Sequence, residues 1–483
     1  MIPSYSSVVK RYLRFASSLS LIFTIAIILI NYLRLGTNWS SLSIGFTLVH
    51  VLLSLVSYFV SRQIQHNQLA YPYHSWFGYV LMLSVLLGNP FNFISGMFLI
   101  LKKIASYQIY LIFAVLVDLT LIVTTSLNFF KPTVSPTFIL GLVLLGVSLI
   151  IHWSLVLFSS RLTNLSNGPL YFVLVLLVLT ALSGNLLSLI AAWLLWRENT
   201  SESYERRRSI FANIARHEVA VFGLYVITFI LAMAITSYLT FEYSYAVENN
   251  YTAILQSPSM TYPLGTDNFG RDVFSRMVFG GRISLLVGVL ATLSPLLIGG
   301  FLGAVSGYYS HRVDQTIMRL LDVLYAIPGI LLAITIVTAF GTSTQNLILA
   351  LSIGGIPGYA RTMRANVLQV KQLEYVEAAH AVGVNDVKII LKHVIPNASA
   401  PMIIRSSLTV ATAVISTSSL SYLGLGVESH IPEWGNILRI GSDYLETQPY
   451  LAIYPGLAII ALVLSFNFLG DGLRDALDPK MTQ

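Results

Sequence analysis

The sequence predicts an all-α polytopic membrane protein, with a six-span C-terminal domain preceded by an additional helical bundle of about six spans. Three observations predict it. Of 483 residues, 55% are hydrophobic and only 10% charged, against about 25% charged in an ordinary soluble chain, and mean hydropathy is +0.74. Apolar runs of about 20 residues, the length that crosses a bilayer core, recur along the chain. A hydrophilic link at 201–217, containing Arg206-Arg207-Arg208, separates two groups of such runs. The expected organisation is a multi-span bundle at 1–200, a basic cytoplasmic linker at 201–217 and a second membrane domain at 218–483.

Composition removes several classes of function. Cysteine is absent, which excludes disulfides, thiolate metal sites and cysteine nucleophiles. The net charge of +7 is explained by basic residues held on the cytoplasmic face rather than by nucleic acid. Lys10, Arg11 and Arg14 precede the first apolar run and no small-residue cleavage site follows, so no cleavable signal is expected.

In order, the first group of runs is Phe15–Leu33, Ser43–Val60, Phe77–Leu101, Ile109–Phe130, Thr137–Phe158 and Leu170–Trp196. Gly88-Asn89-Pro90 interrupts the third, where a kink is expected. A weak internal repeat of about 97 residues relates the two halves of this group. Asn31-Tyr32-Leu33-Arg34 matches Asn128-Phe129-Phe130-Lys131, Ser61-Arg62 matches Ser160-Arg161, and Leu87-Gly88-Asn89 matches Ser183-Gly184-Asn185. Duplication of a three-span unit would place its copies in opposite orientations. Asp118, His50 and His152 lie within spans and are candidates for a proton or ion site. Their positions share no periodicity, so structural hydrogen bonding is the favoured reading, with Asp118 the exception to watch.

The second group is Val219–Leu239, Ile283–Tyr308, Ile317–Phe340, Asn346–Tyr359, Met402–Leu423 and Tyr450–Leu469. The fourth is short, and its helix is expected to continue past Arg361 and Arg364. With both termini inside, most Lys and Arg fall in cytoplasmic segments. That orientation puts Tyr262–Arg282, YPLGTDNFGRDVFSRMVFGGR, outside. Gly265 and Gly270 permit tight turns there, and Asp267, Arg271 and Asp272 can cap and pair. In Ser306–Pro328, Arg319 and Asp322 stand i,i+3 and are expected to pair at the membrane edge.

The polar stretch Glu374–Asn397, EYVEAAHAVGVNDVKIILKHVIPN, cannot cross a bilayer with its charges unpaired. It reads as a helix over 374–382 stopped by Gly383, then a second helix over 387–394 capped by Asn385 or Asp386 and ended by Pro396. A loop with its own secondary structure suggests a docking element on the cytoplasmic side.

This stretch resembles the EAA loop of ABC-importer permeases, with Glu377, Ala378, Ala379 and Gly383 in the spacing E-A-A-x3-G. His393 and Ile395 depart from the general I-x-L-P ending, but the run into Pro396-Asn397 resembles the peptide-importer branch. Tyr262–Arg282 resembles that branch's H-P-L-G-T-D-x-x-G-R-D segment, with Tyr262 in place of His. Asp314, Met318, Arg319, Asp322, Ala326, Ile327 and Pro328 fit a further family pattern. Pro357–Arg361, Ser421–Gly426 with Pro432, Trp434 and Gly435, and the tail Asn467–Pro479 complete a resemblance that covers about 262–479.

The resemblance implies a MetI-like, type I ABC importer permease domain at 218–483, in the plasma membrane, of the dipeptide, oligopeptide or nickel type. It implies a second homologous permease as heterodimeric partner, two ATP-binding subunits and an external solute-binding protein, alongside membrane lipid. Glu377, Ala378, Ala379, Gly383 and Pro396 would form the contact with an ATPase. Gly265, Asp267, Gly270, Arg271, Asp272, Arg319, Asp322 and Pro328 are the other family positions, taken as structural. ATP and Mg would sit on the partners. Catalytic residues, metal ligands and a cofactor are not expected on this chain, which has no G-x-x-x-x-G-K-[ST], H-E-x-x-H or G-x-S-x-G. The same architecture importing nickel or oligosaccharides is one alternative. An autonomous secondary transporter or intramembrane enzyme seated in 1–200 is another, and a membrane scaffold that binds an ATPase without conducting is a third.

Overall fold

A computed structural model describes residues 5–35, 41–66, 73–84, 89–101, 104–163, 165–200 and 209–477. Leu87, Gly88, Arg206-Arg207-Arg208, Asp478 and Pro479 lie outside these. Among the described residues the chain is helical, with one isolated bridge between Thr266 and Asp272 and no strand. Among the described residues, eight helices are long and apolar enough to cross a membrane, or nine if one bent pair counts as a span. The residues form two compact units: Met1–Val123 with Leu144–Val221, and Thr124–Val143 with Phe222–Gln483.

The chain from 7 to 200 is built as a duplication. Two long helices, α1 (Ser7–Leu35) and α2 (Ser41–Gln65), precede two short ones, α3 (Tyr73–Leu83) and α4 (Pro90–Ile100). The pattern recurs in α5 (Ser106–Ser126), α6 (Phe138–Leu157), α7 (Asn167–Thr180) and α8 (Leu186–Thr200). Side chains keep the register. Tyr12 and Tyr110 both donate to carbonyls at α9 (Ile210–Ile214), to Ala215 at 3.0 Å and Phe211 at 2.8 Å. The Ser20–Ser54 and Ser20–Asn89 hydrogen bonds of the first copy recur as His152–Asp118 and Asn185–Asp118 in the second.

The third and sixth apolar runs fold as helical hairpins rather than single spans. At about 1.5 Å per residue, their helices measure roughly 16–22 Å, short of a hydrocarbon core of about 30 Å. Gly78 of α3 lies against Ile100 of α4, and Gly96 against Met82, so α4 runs back along α3. Asn199 in α8 bonds the backbone of Leu165 and Leu162, ahead of α7, at 2.9 and 3.1 Å, so α8 returns to the start of α7. The second helix of each hairpin starts directly after an asparagine, Asn89 or Asn185. Asn89 caps α4 through Phe91 and Asn92 N–H, and Gly184 stands at φ +88°.

Each copy thus pairs two helices long enough to cross a bilayer with a hairpin of two that are not. With two crossings per copy the copies would share one orientation, where a three-span unit would impose opposite ones. The α5–α6 turn supports this count. Strict alternation of six spans would place residues 131–136 and 241–272 on opposite faces, yet Lys131 bonds Asp272 at 2.6 Å.

The second unit holds α10 (Glu218–Thr240), α11 (Val273–Tyr308), α12 (His311–Tyr325), α13 (Gly329–Phe340), α14 (Thr344–Val370), α15 (Glu374–Ala381), α16 (Asp386–Ile389), α17 (Ala400–Tyr422), α18 (Trp434–Ser442) and α19 (Tyr450–Leu477). As expected, α14 runs past Arg361 and Arg364. The run over 317–340 is not straight: α12 and α13 meet at 79° across Ala326-Ile327-Pro328, because proline removes a helical donor and clashes with the preceding turn. Gly299, Gly303 and Gly307 form a stripe on α11 pressed against Tyr359, Ala360 and Val367 of α14; a Cβ on Gly303 would collide with the Ala360 carbonyl. This close approach brings the ends of α11 and α14 together as a platform for the loop that follows.

Candidate functional site

The loop 374–398 is built on that platform. Glu374 and Glu377 occupy the first turn of α15, where the helix dipole favours acids. The helix closes in a Schellman motif: Gly383 N–H bonds His380 O at 2.9 Å and Val384 N–H bonds Ala379 O at 3.1 Å, with Gly383 at φ +78°. Asn385, one of the two candidates, is the next cap and accepts from Val387 N–H at 2.9 Å. Pro396 does not end the second helix. A π-helical turn over Ile390–Val394 leads into Ile395–Ala398, so the proline sits in a first turn that needs no donor from it.

One face of the loop is anchored. Val376, Ile389, Ile390 and Val394 are buried with Met363, Val367 and Val370 of α14, and Ala379 packs against the same cluster. Asp386 Oδ1 accepts from the Tyr308 hydroxyl at 3.1 Å, and the Tyr308 oxygen is 2.6 Å from His380 Nε2. Lys371 donates to Gly307 O at 2.7 Å. The other face is open. Glu377, Ala378 and Gly383 are exposed, and apolar Val382, Val387 and Leu391 stand out at 81%, 56% and 56% exposure. A side chain added at Gly383 would meet nothing within 4 Å.

The ion pairs of α12 differ from the expected one. Asp322 pairs with Arg361 of α14 at 2.5 Å, and Arg361 lies over the Tyr325 ring at 4.0 Å. Arg319 is exposed and forms no ion pair among the described residues. The α12–α14 contact is completed by Asp314, which takes both Nε and Nη2 of Arg364 at 2.5 Å and the Ser306 hydroxyl at 2.5 Å.

The segment 262–276 is a closed turn. Gly265 and Gly270 have φ of +76° and +73°. Asp267 accepts from Phe269 N–H, Arg271 N–H and Arg271 Nε at 2.9, 3.0 and 2.8 Å, and buried Arg276 lies 3.5 Å away. Asp272 caps α11 through Ser275 N–H at 2.9 Å and receives the Lys131 ammonium at 2.6 Å. Burial pushes the Lys131 ammonium down from its usual range, and Asp272 opposes that fall. Two partners escaped the sequence. Lys131 reads as an ordinary basic flank after an aromatic run, and Glu433 is hidden between Pro432 and Trp434. Glu433 is buried, caps α18 through Gly435 N–H at 2.8 Å and accepts from Ser284 at 3.0 Å.

In the first unit, Asp118 and His152 do meet. Asp118 Oδ2 lies 2.6 Å from His152 Nδ1 and accepts from Ser148 at 3.0 Å, while Oδ1 accepts from Asn185 at 3.1 Å. His152 Nε2 lies 3.0 Å from Thr180. All of these residues are buried. His50 stands apart: its Nδ1 bonds Phe46 O at 3.0 Å, and its buried Nε2 has no partner among the described residues. Among those residues no cluster of His, Asp and Glu is arranged to hold a metal.

Residues 299–483 match the family model of the binding-protein-dependent transport system inner membrane component. The dipeptide transport system permease protein DppC of Alkalihalophilus pseudofirmus is 41% identical over 274 residues, 57% of this chain and 90% of that protein. The glutathione transport system permease protein GsiD of Pectobacterium atrosepticum is 42% identical over 277 residues, 57% of this chain and 91% of that protein. A chain of the inward-facing MetNI methionine ABC transporter overlaps 42% of this chain and 97% of its own length at 19% identity, with a TM-score of 0.35.

Proposed function

The chain belongs to the binding-protein-dependent permeases of dipeptide/oligopeptide-type ABC importers, and on that premise we propose that it forms half of an ATP-driven pathway for a small peptide-like solute. The family is one of transport permeases, not enzymes; it resides in the plasma membrane and works with ATPase and substrate-binding partners. The relatives named for dipeptide and glutathione transport motivate the cargo. In this reading the termini are cytoplasmic, a second homologous permease completes the pathway, and two ATPase subunits hold ATP and Mg.

The observation that carries the proposal is the open face of 374–398. Val382, Val387 and Leu391 are apolar and exposed on a loop too polar to enter lipid. Such a patch is stabilised by a protein partner. Its other face is fixed to α11 and α14, so a push on Ala378 or Gly383 reaches the ends of two membrane helices as a rigid displacement. ATP-driven closure of the ATPases would move α15 and with it the pathway helices. Mild-detergent purification of the tagged chain, with every co-purifying protein identified, tests this. Two P-loop ATPases and a second permease are expected; recovery of the chain alone, intact and monodisperse, would contradict the proposal.

A further inference from the structure

We propose that residues 124–143, the connection between α5 and α6, brace the permease as a strap in which Lys131 is the positioning residue for the turn 262–272 and the first turn of α11. The strap lies at both ends of the segment that joins α10 to α11. At one end it meets carbonyls that the last turn of α10 leaves without helical donors. Asn128 Nδ2 donates to Thr240 O at 2.8 Å, and the Thr137 hydroxyl to Leu239 O at 2.9 Å. At the other end Lys131 donates to Asp272 Oδ2 and to Ser275 Oγ, both at 2.6 Å. Between them, Thr133 N–H bonds the Tyr245 hydroxyl at 3.1 Å.

The ammonium site is built rather than incidental. The Lys131 side chain is 3% exposed and that of Asp272 not at all. The ammonium lies 4.6 Å from the Tyr245 ring centroid, with Phe241 and Phe274 at 5.9 and 6.0 Å. A surface lysine keeps water on its donors; this one has exchanged water for a carboxylate, a hydroxyl and three rings. Asp272 also caps α11, so without Lys131 the cap would hold an unpaired buried charge. The strap precedes the 299–483 family match, and over two fifths of this chain is unmatched in the DppC and GsiD relatives. The permease domain thus takes part of its support from a segment that precedes its family match.

The functional arm of this proposal rests on the importer reading; the structural arm rests on geometry alone. The test compares Lys131→Met and Lys131→Arg in the full chain within its purified complex. Hydrogen exchange across 262–277 is read first, then ATP hydrolysis titrated with the co-purified solute-binding protein. Lys131→Met is expected to speed exchange at the Phe274 and Ser275 amides about tenfold. It should also raise the half-saturating binding-protein concentration about tenfold, with maximal rate changed less than about twofold. Lys131→Arg, which keeps charge and donors, should restore most of both. Unchanged exchange in Lys131→Met overturns the strap. Faster exchange with unchanged half-saturation overturns its role in transport. A complex that yields no ATPase overturns the importer reading, while the exchange result still judges the strap. If Lys131→Met does not assemble, Asn128→Ala removes one anchor without baring a charge and is read the same way.

Discussion

The Asp118 network and the 374–398 loop handle polarity in opposite ways. Around Asp118, polar groups lie among apolar helices: Ser148 and Asn185 donate to its two carboxyl oxygens, and His152 Nδ1 lies 2.6 Å from one of them. In the loop, apolar Val382, Val387 and Leu391 stand in the open on a polar surface. A carboxyl group with hydrogen-bond partners on both oxygens inside a membrane bundle is an answer to the fold's own needs. An unsatisfied apolar patch outside it is a request for a partner. The comparison separates the residue most suggestive of chemistry, Asp118, from the residues on which the proposed docking rests.

The comparison breaks most visibly at Asp118. Asp118→Asn removes one partner of a buried pair and is expected to cost the first unit about 3–5 kcal/mol, read as a lower midpoint of thermal unfolding. ATP-driven uptake per assembled complex should stay within about twofold. Loss of uptake with stability intact would turn the network into a transport site. Next in size, Gly383→Trp should reduce uptake in vesicles about 100-fold while the chain still inserts, since the bulk projects from the docking face. Normal uptake would remove that face from the mechanism.

Val382→Ser should weaken retention of the ATPases about tenfold through lost apolar contact, with chain stability changed by less than about 0.5 kcal/mol. Equal retention by wild type and variant would place the partner elsewhere. The smallest effect belongs to His50→Leu. It deletes a buried nitrogen that has no partner among the described residues, so stability should change by no more than about 1 kcal/mol and in the favourable direction. A large loss would mean that His50 belongs to a site after all.

Much of the loop was legible because its signals are local. The spacing from Glu377 to Gly383 states a helix and its stop, and Asn385 states the next cap. Pro396 misled because a proline reads as a terminator unless a wider turn absorbs its missing donor. The hairpins misled for a different reason. A run such as 77–101 or 170–196 reports how much apolar chain there is, not whether it returns, and the Gly-Asn pairs read equally as kinks. Six single spans would set Lys131 and Asp272 on opposite faces, yet the two bond. Lys131 itself was out of reach: its partners Asp272, Ser275 and Tyr245 lie more than a hundred positions away, and only tertiary structure joins them. Asp322 shows the same limit, since the partner that holds it is Arg361 on α14 rather than its helical neighbour Arg319.

The central claim is that the open face of 374–398 is where an ATPase seats. The chain contains no cysteine, so Val382→Cys places a single thiol on that face. Cross-linking from this thiol in the purified complex, read by mass spectrometry, is the direct measurement. The account predicts a cross-link to a P-loop ATPase subunit and protection from aqueous maleimide while the complex is intact. Free labelling of Val382→Cys in the assembled complex, with no cross-linked partner, would contradict it.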